Sequence, residues 1–551
     1  MTKTDAQRWH HVRFLFRLVL VVPVMAATLG AQAFLIQAVI PVDGNVLDAV
    51  IDDAGNTYIT GTFNGTVELG GTTLTAEGPA DTFVAALDLQ GEWLWAERFG
   101  GSLGASGCSI AWDGGERLWV AAYVDGPQEL SFGSLLIGTT EQVGLAAIRI
   151  STNGEFELLA LATASTPIWL VDLRDLTIAA APNGSAVVAG AFHGVNMFFG
   201  DLVLTGADQN GFVASTSTSG EWTWAQCLGG TPYSNVAEVS IDNLGNVFAA
   251  GYFQGPTATL NGSVIQGGPG AAIPIIAKWN AVGSPLWISL GSEQDGQGSE
   301  FIDLMLKPNG RLVVTGVFNG GVQLGNTTIT ASGGSFVAEA DDSGAWTWAL
   351  SQEQQSCCMP WPDAALRADG TLLSGGHFVG PLYLNDIYLM STGSASGFLG
   401  IWSPSSGWTA AEAQLSDEEI AIWGVASHGG VERAFGRVSG NATVGEGIPL
   451  SSADTGEGFV VLLEVVPTGI AQDRVPSHGL LSVYPSPASD EVYVRSTADL
   501  PNDIIRVFDM NSAEVLHTYA RSSTIRLDVS NLPAGMYVVR HGEHSTRFVK
   551  E

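Results

Sequence analysis

The sequence predicts an all-β protein, a seven-bladed β-propeller followed by a small C-terminal β-sandwich, and three observations carry that expectation. A Gly-x-Phe-x-Gly motif recurs about every sixty residues. Each recurrence sits in the same series of alternating, β-branched segments bounded by Gly, Asn and Asp, as strands broken by turns should be. No convincing amphipathic helix follows the N-terminal apolar run.

The motif is complete five times: Gly61-Thr62-Phe63-Asn64-Gly65, Gly190-Ala191-Phe192-His193-Gly194, Gly251-Tyr252-Phe253-Gln254-Gly255, Gly316-Val317-Phe318-Asn319-Gly320 and Gly376-His377-Phe378-Val379-Gly380. Diverged copies start at Ala122 and Gly436, so successive copies are 61, 68, 61, 65, 60 and 60 residues apart. A fixed period of this length is the mark of a repeat architecture. In the first unit, VLDAVID and TYITGTF are strands joined by the turn Asp53-Ala54-Gly55-Asn56. A hairpin insert, TVELGGTTLTA, follows, and TFVAALD and EWLWAER complete four strands. The later stretches GFVASTSTSGEWTWAQ from Gly211 and SFVAEADDSGAWTWAL from Ser335 repeat the third and fourth strands almost letter for letter. Stacked four-stranded units protect their edges best by closing into a ring. Closure is expected to pair Val46 to Ile51 with FVVLLEV from Phe459. Over residues 42 to 466 the unit resembles the SBBP-type propeller repeats of secreted bacterial proteins, in its Asp-x-x-Gly-Asn turn and its Phe-Val-Ala followed by Asp-x-x-Gly.

The domains expected are a signal peptide over 1–33, the repeat region over 34–466, a Pro-containing linker over 467–479 and a sorting domain over 480–551. The last of these carries ordered motifs: Tyr484-Pro485, Pro487, Asp490, Asp509, Leu532, Gly535, Tyr537 and Lys550. Between them lie short β-branched runs separated by Pro, Asp, Asn and Gly. This stretch resembles the C-terminal sorting domain of the type IX secretion system of Bacteroidetes-type bacteria. Ser512-Ala513 stands where that family usually has Gly-Lys, and Glu551 where it usually ends in a base. The resemblance implies recognition by the outer-membrane translocon, removal of the domain, and release or surface attachment of the rest.

At the other end, Lys3, Arg8, Arg13 and Arg17 precede an apolar run from Leu18 to Leu29, and Ala31-Gln32-Ala33 offers a small-x-small cleavage site. That run is short for a membrane span. An uncleaved anchor is the alternative, because FLIQAVI extends the apolar stretch. Without residues 1–33 the chain has 18 basic and 54 acidic side chains, net −36, and residues 34–479 alone hold 11 and 45, with Lys278 and Lys307 their only lysines. Such a surface repels phosphate backbones and anionic headgroups, which excludes nucleic-acid binding and lipid attachment as functions. The expected location is secreted or on the outer-membrane cell surface.

Trp93 with Trp95, Trp222 with Trp224, and Trp346 with Trp348 recur two residues apart on the same strand, so each pair shares a face. An exposed ledge would stack sugars. Recurrence in most units points instead to packing between blades. Asp53 to Asn56 and Asp242 to Asn246 bring oxygens together without the bidentate Glu of an EF-hand, so turn chemistry is the expectation, with calcium as the alternative and no other cofactor or metal foreseen. Cys108, Cys227, Cys357 and Cys358 lack zinc spacing, and their pairing is open between disulfides and free thiols. No nucleophile elbow, metalloprotease helix or phosphate loop is present, and no catalytic residue is assigned. The function expected is a non-enzymatic, extracellular binding or adhesion propeller exported by the type IX machinery. The alternatives are a polysaccharide lyase or glycosidase using channel carboxylates, and a structural surface-layer protein.

Overall fold

The sixty-residue period resolves in the computed structural model into seven four-stranded antiparallel units. The structure describes residues 34–133, 135–138, 143–164, 176–193, 196–206, 209–230, 232–260, 262–268, 271–293, 298–330, 333–353, 363–384, 387–445, 448–465, 481–484, 491–496, 504–509, 513–519, 524–541 and 544–550. The expected signal peptide with Ala31 and Ala33, the linker, Cys357, Cys358, Pro485, Pro487 and Asp490 lie outside the described residues. Among the described residues there is no helix. The chain divides into Met1–Pro467 and Thr468–Glu551.

Unit 1 runs Asn45–Ile51, Thr57–Phe63, Asp81–Leu87 and Trp93–Gly101, each strand paired antiparallel to the next. Units 2 to 6 repeat that meander from inner strands Ala105–Trp112, Thr177–Ala180, Tyr233–Ile241, Ser299–Leu306 and Asp363–Leu366. Unit 7 begins with Glu419–His428. Inner strands of successive units neighbour one another, and Glu419–His428 neighbours Asn45–Ile51, so the series closes into a ring.

Closure differs from the expectation. The outer strand of unit 7 is Phe34–Val42, in antiparallel register with Ile448–Val465 from Phe34 opposite Val465 to Val42 opposite Gly458. Val46 to Ile51 is the inner strand of unit 1. The apolar FLIQAVI is therefore a strand, and its residues cover the edge that Phe459, Val460 and Val461, all fully buried, would otherwise expose.

A β-bulge recurs where the inner strands pair with the second strands, between Val46 and Asp48, Gly107 and Ser109, Val236 and Glu238, Phe301 and Asp303, and Ile422 and Gly424. The extra residue pushes a backbone carbonyl toward the second strand, and this explains the first glycine of the motif. A Cβ on Gly61 would lie 1.8 Å from Asn45 O, on Gly251 2.1 Å from Asn235 O, and on Gly316 2.3 Å from Glu300 O. Unit 2 has Ala122 at this position, opposite Gly107. The motif phenylalanines Phe63, Phe192, Phe253, Phe318 and Phe378 are buried. Four of them pack on a third-strand phenylalanine, as Phe63 does on Phe83 at 6.5 Å and Phe318 on Phe336 at 6.2 Å. The glycines at the far end of the motif include Gly65, Gly255, Gly320 and Gly380, all at positive φ where the chain turns into the insert.

The inserts are short hairpins, and those of units 2, 3 and 5 pair with a neighbour rather than standing free on a rim. Glu129–Phe132 of unit 2 pairs with Trp93–Gly101 of unit 1, Asn196–Phe199 of unit 3 with Phe156–Ala164 of unit 2, and Gly321–Leu324 of unit 5 with Pro285–Glu293 of unit 4. Each covers the outer edge of the preceding unit.

The C-terminal domain has a three-stranded sheet, Leu481–Tyr484, Glu491–Ser496 and Thr524–Asp528, and a four-stranded one, Glu514–Tyr519, Ile504–Phe508, Gly535–His541 and His544–Lys550. Val492, Val494, Ile505, Val507, Leu527, Val539 and Phe548 form its core.

Gly251→Ala should lower stability by about 1–3 kcal/mol through overpacking against the bulge carbonyl, read from the midpoint of denaturant unfolding. Deleting residues 34–42 should bare the unit 7 edge, and limited proteolysis should then cut first within unit 7.

Candidate functional site

One register position recurs in all seven inner strands, just after the bulge in five of them, and its side chain, where it has one, faces the centre of the ring. In order these are Asp48, Ser109, Thr177, Glu238, Asp303, Asp363 and Gly424. All but Gly424 line a central cavity of about 380 Å³ together with Leu47, Cys108, Asn235, Tyr252, Glu300 and Trp423 among others, and among the described residues no lysine, arginine or histidine lines it.

These side chains tie one unit to the next. Ser109 Oγ and Ile110 N donate to Asp48 Oδ2 at 2.7 and 2.8 Å, joining units 1 and 2. Ile178 N donates to Ser109 Oγ at 3.3 Å, joining units 2 and 3. Thr177 Oγ1 donates to Glu238 Oε1 at 2.7 Å. Ala364 N donates to Asp303 Oδ2 at 3.1 Å, and Val425 N to Asp363 Oδ2 at 2.9 Å. The unit 7 position is Gly424, where a Cβ would lie 2.4 Å from Asp363 Oδ2.

Each carboxylate is partly open to the cavity yet enclosed by protein on every side, and burial is the largest influence on all four. It pushes Asp48 up to about 6 against the N–H groups of Ile110 and Ala49 and the Ser109 hydroxyl, which favour the ion. Burial likewise raises Asp303 to about 6. Glu238 and Asp363 are held well above the usual carboxylate range by burial and then by the charge of Asp303. Like charges facing one cavity cannot all ionise cheaply.

The other residues singled out in the sequence fall elsewhere. Trp95 Nε1 donates to Thr152 O at 2.9 Å, Trp224 Nε1 to Ala281 O at 3.4 Å and Trp287 Nε1 to Asp342 O at 2.8 Å, each the turn of the following unit. Trp222 Nε1 donates to Leu161 O at 2.9 Å and Trp346 Nε1 to Leu290 O at 3.3 Å, in the preceding unit. The tryptophans pack between units. Asp52 Oδ1 accepts Ala54 N and Asn56 N, and Oδ2 accepts Asn56 Nδ2 and the Tyr58 hydroxyl, all at 2.9 Å; Asp242 repeats the pattern. These turns satisfy their own carboxylates. Among the described residues no group of three or more His, Cys, Asp or Glu is arranged to hold a metal ion. Cys227 is a free thiol, and the Cys108 Sγ donates to Ser106 O at 3.2 Å.

In the C-terminal domain, Ala513 N donates to Asp509 Oδ1 at 2.9 Å, closing the turn after Ile504–Phe508. Tyr537 donates its hydroxyl to Pro533 O at 2.7 Å and stacks on Phe548, Leu532 N donates to Val529 O, and Gly535 pairs with the buried Lys550. These motif residues shape the fold of the domain.

The ring position was missed in the sequence although it leaves a signal. Asp48, Ser109, Thr177, Glu238, Asp303 and Asp363 each precede the first residue of their motif copy by 13 positions, and Gly424 by 12.

Residues 482–551 match the family described as the secretion system C-terminal sorting domain. The chain is thus an exported cargo of the type IX secretion system, secreted or held at the cell surface. No curated protein matches the sequence. Among solved structures, the chain is similar to PorZ, titled an essential bacterial surface component of the type IX secretion system of Porphyromonas gingivalis, at 10% identity and a TM-score of 0.20 over 94% of this chain and 100% of that one. It is also similar to the polysaccharide lyase Uly1, at 9% identity and a TM-score of 0.33 over 65% of this chain and 77% of that one. Both likenesses are too distant to carry a function.

Ser109→Ala should cost about 1 kcal/mol and Asp48→Ala about 2–3 kcal/mol of stability, since the latter strands the Ile110 and Ala49 amides without an acceptor. Guanidinium unfolding followed by tryptophan fluorescence measures both.

Proposed function

We propose that the ring is a seven-bladed β-propeller that acts outside the cell as a non-enzymatic binding or adhesion module, delivered there by the C-terminal sorting domain. The observation that carries this reading is the commitment of the central carboxylates. Asp48, Asp303 and Asp363 accept backbone N–H groups of the next unit, and Glu238 accepts Thr177 and its own strand's Val239 N. Groups so engaged support the fold and are poorly placed to move protons on a substrate.

The two enzymatic alternatives fit the cavity less well. Elimination from a uronate-bearing polysaccharide places the sugar carboxylate in the site, and the described lining presents four acids at the ring position, which repel it. A glycosidase needs two carboxyl groups roughly 5–9.5 Å apart to flank the scissile bond. Asp303 and Asp363 instead each hold a backbone N–H of the next unit, at 3.1 and 2.9 Å.

The binding surface we favour is the outer face of the insert hairpins. At one equivalent position they carry Thr73, Leu136, Val203, Val264, Thr328 and Tyr388, chemically varied on a repeated backbone. Exposed variable positions on a rigid scaffold are where recognition is expected. Tyr388 and Tyr383 face each other at 5.1 Å, each about half exposed, beside an exposed Met390.

The chain should be expressed in a host with a type IX system, with and without residues 482–551. The full chain should reach the medium or the cell surface and the truncated one should stay in the periplasm; equal export of both would overturn the cargo reading. On a polysaccharide panel the exported protein should release no product. Turnover abolished by Asp303→Asn would establish an enzyme, whereas self-association without a soluble ligand would favour a structural surface layer.

A further inference from the structure

The insert hairpin of unit 6 pairs Pro381–Leu384 with Ile387–Met390, which sets Tyr383 opposite Tyr388 and Pro381 opposite Met390. Successive residues of a strand face opposite sides, and Leu382 and Leu384 are buried with Phe378 and Phe398. The hairpin is thus pinned by its inner face, and the outer one is turned to solvent. There Tyr383 is 46% exposed, Tyr388 51% and Met390 48%, and the two rings stand 5.1 Å apart at 52°. At the equivalent register, units 1 to 5 carry Glu68 with Thr73, Ser131 with Leu136, Phe198 with Val203, Thr259 with Val264 and Gln323 with Thr328. Five hairpins of this kind form without a pair of tyrosines, so the fold does not require one.

Acids flank the rings. Thr392 Oγ1 donates to Ser416 O at 2.8 Å and Ser394 Oγ to Glu418 O at 2.9 Å, so the chain leaving Met390 runs alongside Ser416 to Glu418. Asp417, Glu418 and Glu419 are all exposed. Hydrogen bonds from the Asn441 side chain and backbone hold the Asp417 carboxyl below the usual carboxylate range. The four residues from Tyr388 to Thr392 span at most about 14 Å, within the reach of one short peptide.

We propose that this face of unit 6 binds an extended basic segment of another protein, whose Arg or Lys side chains stack on Tyr383 and Tyr388 and pair with the acids at Asp417 to Glu419. The inference rests on the reading of the ring as an extracellular binding module and names the partner of one of its faces.

Ring faces attract cations, arginine more often than lysine, and a methionine beside them adapts to the stems of long side chains. Every second side chain of an extended peptide lies on one side, about 7 Å apart, close to the 5.1 Å between the two rings. Charge selects the same class of partner. Residues 34–479 hold 11 basic and 45 acidic side chains, which draw a basic segment and repel polymers bearing uronate, sulfate or phosphate.

Fluorescence anisotropy of a labelled alternating Arg-Gly peptide, with a Gln-Gly peptide as control, tests the site on the full chain. Wild type should bind the first and not the second. Tyr383→Gln with Tyr388→Thr, which copies the unit 5 pair onto unit 6, should weaken binding about tenfold. Tyr383→Phe with Tyr388→Phe should leave it nearly unchanged, and Glu418→Gln with Glu419→Gln should weaken it and flatten its dependence on salt. No binding by wild type, or unchanged affinity in the Gln/Thr variant, would overturn the site. Preference for a glucosamine oligomer over the peptide, lost in the same variant, would overturn the peptide in favour of an aminosugar polymer. Adhesion of the exported chain to a protein panel that survives the Gln/Thr exchange would keep the binding module and remove this face from it, whereas polysaccharide turnover would overturn the module itself. If the Gln/Thr variant does not fold, a photoreactive Arg-Gly peptide on wild type decides: crosslinks to residues 381–394 or 417–419 support the site, and crosslinks elsewhere overturn it.

Discussion

A bulge shown by five of the seven inner strands is the constraint on which the ring depends. One extra residue does two things at once. It presses a carbonyl onto the second strand, where a Cβ has no room, and it sets the following side chain toward the centre. The repeated glycine and the central ring of polar groups are thus two consequences of one backbone irregularity. Unit 2 has Ala122 at the glycine position, opposite Gly107, and a Cβ on Gly107 would meet Thr82 Cγ2 at 2.4 Å and Thr60 Oγ1 at 2.7 Å, both in unit 1.

Three separate contacts then join neighbouring units, at three radii. At the centre a side-chain oxygen accepts an N–H from the next inner strand. On the side of the turns, an aromatic ring lies over a turn glycine of the next unit: a Cβ on Gly154 would lie 2.9 Å from Trp95, on Gly283 2.5 Å from Trp224, and on Gly344 2.7 Å from Trp287. At the periphery the insert hairpins of units 2, 3 and 5 add strands to the edge of the unit before them. Each device also solves a local problem, since it satisfies a buried amide, fills the gap between twisted sheets, or hides an edge strand that would pair with other chains.

The seam between units 7 and 1 uses different chemistry at every radius. Gly424 offers no acceptor at the centre. Ile40 of the closing strand and Leu462 take the place of the tryptophan over Gly91. The fully buried Arg433 donates to Thr57 Oγ1 at 3.0 Å and to Leu89 O at 3.1 Å in unit 1, and burial lowers its guanidinium to about 10. The closing strand comes from the beginning of the chain, so unit 7 is completed only when both ends of the repeat region meet. In a protein this acidic, the scarce cations are spent at junctions and turns: Lys278 pairs with Asp342 of the next unit, and Arg367 with Glu432 at 2.6 Å.

The strand period, the repeat count and the sorting motif were legible from residue spacing because each depends on local chemistry: alternation, turn glycines and ordered short motifs. The closing strand was not. FLIQAVI is apolar enough to extend an export signal, and only its register against Phe459 to Val465 makes it a strand. The central acids were legible in principle, at a constant 13 residues before the motif. Among 45 acidic residues in 34–479 they were discounted, since local sequence does not say which carboxylates converge. By itself the sequence determined an all-β repeat chain with an export address. Only the tertiary structure decided which strand closes the ring and which carboxylates converge on its centre. Both depend on contacts between residues far apart in the chain, where register and burial, rather than residue type, set the energy.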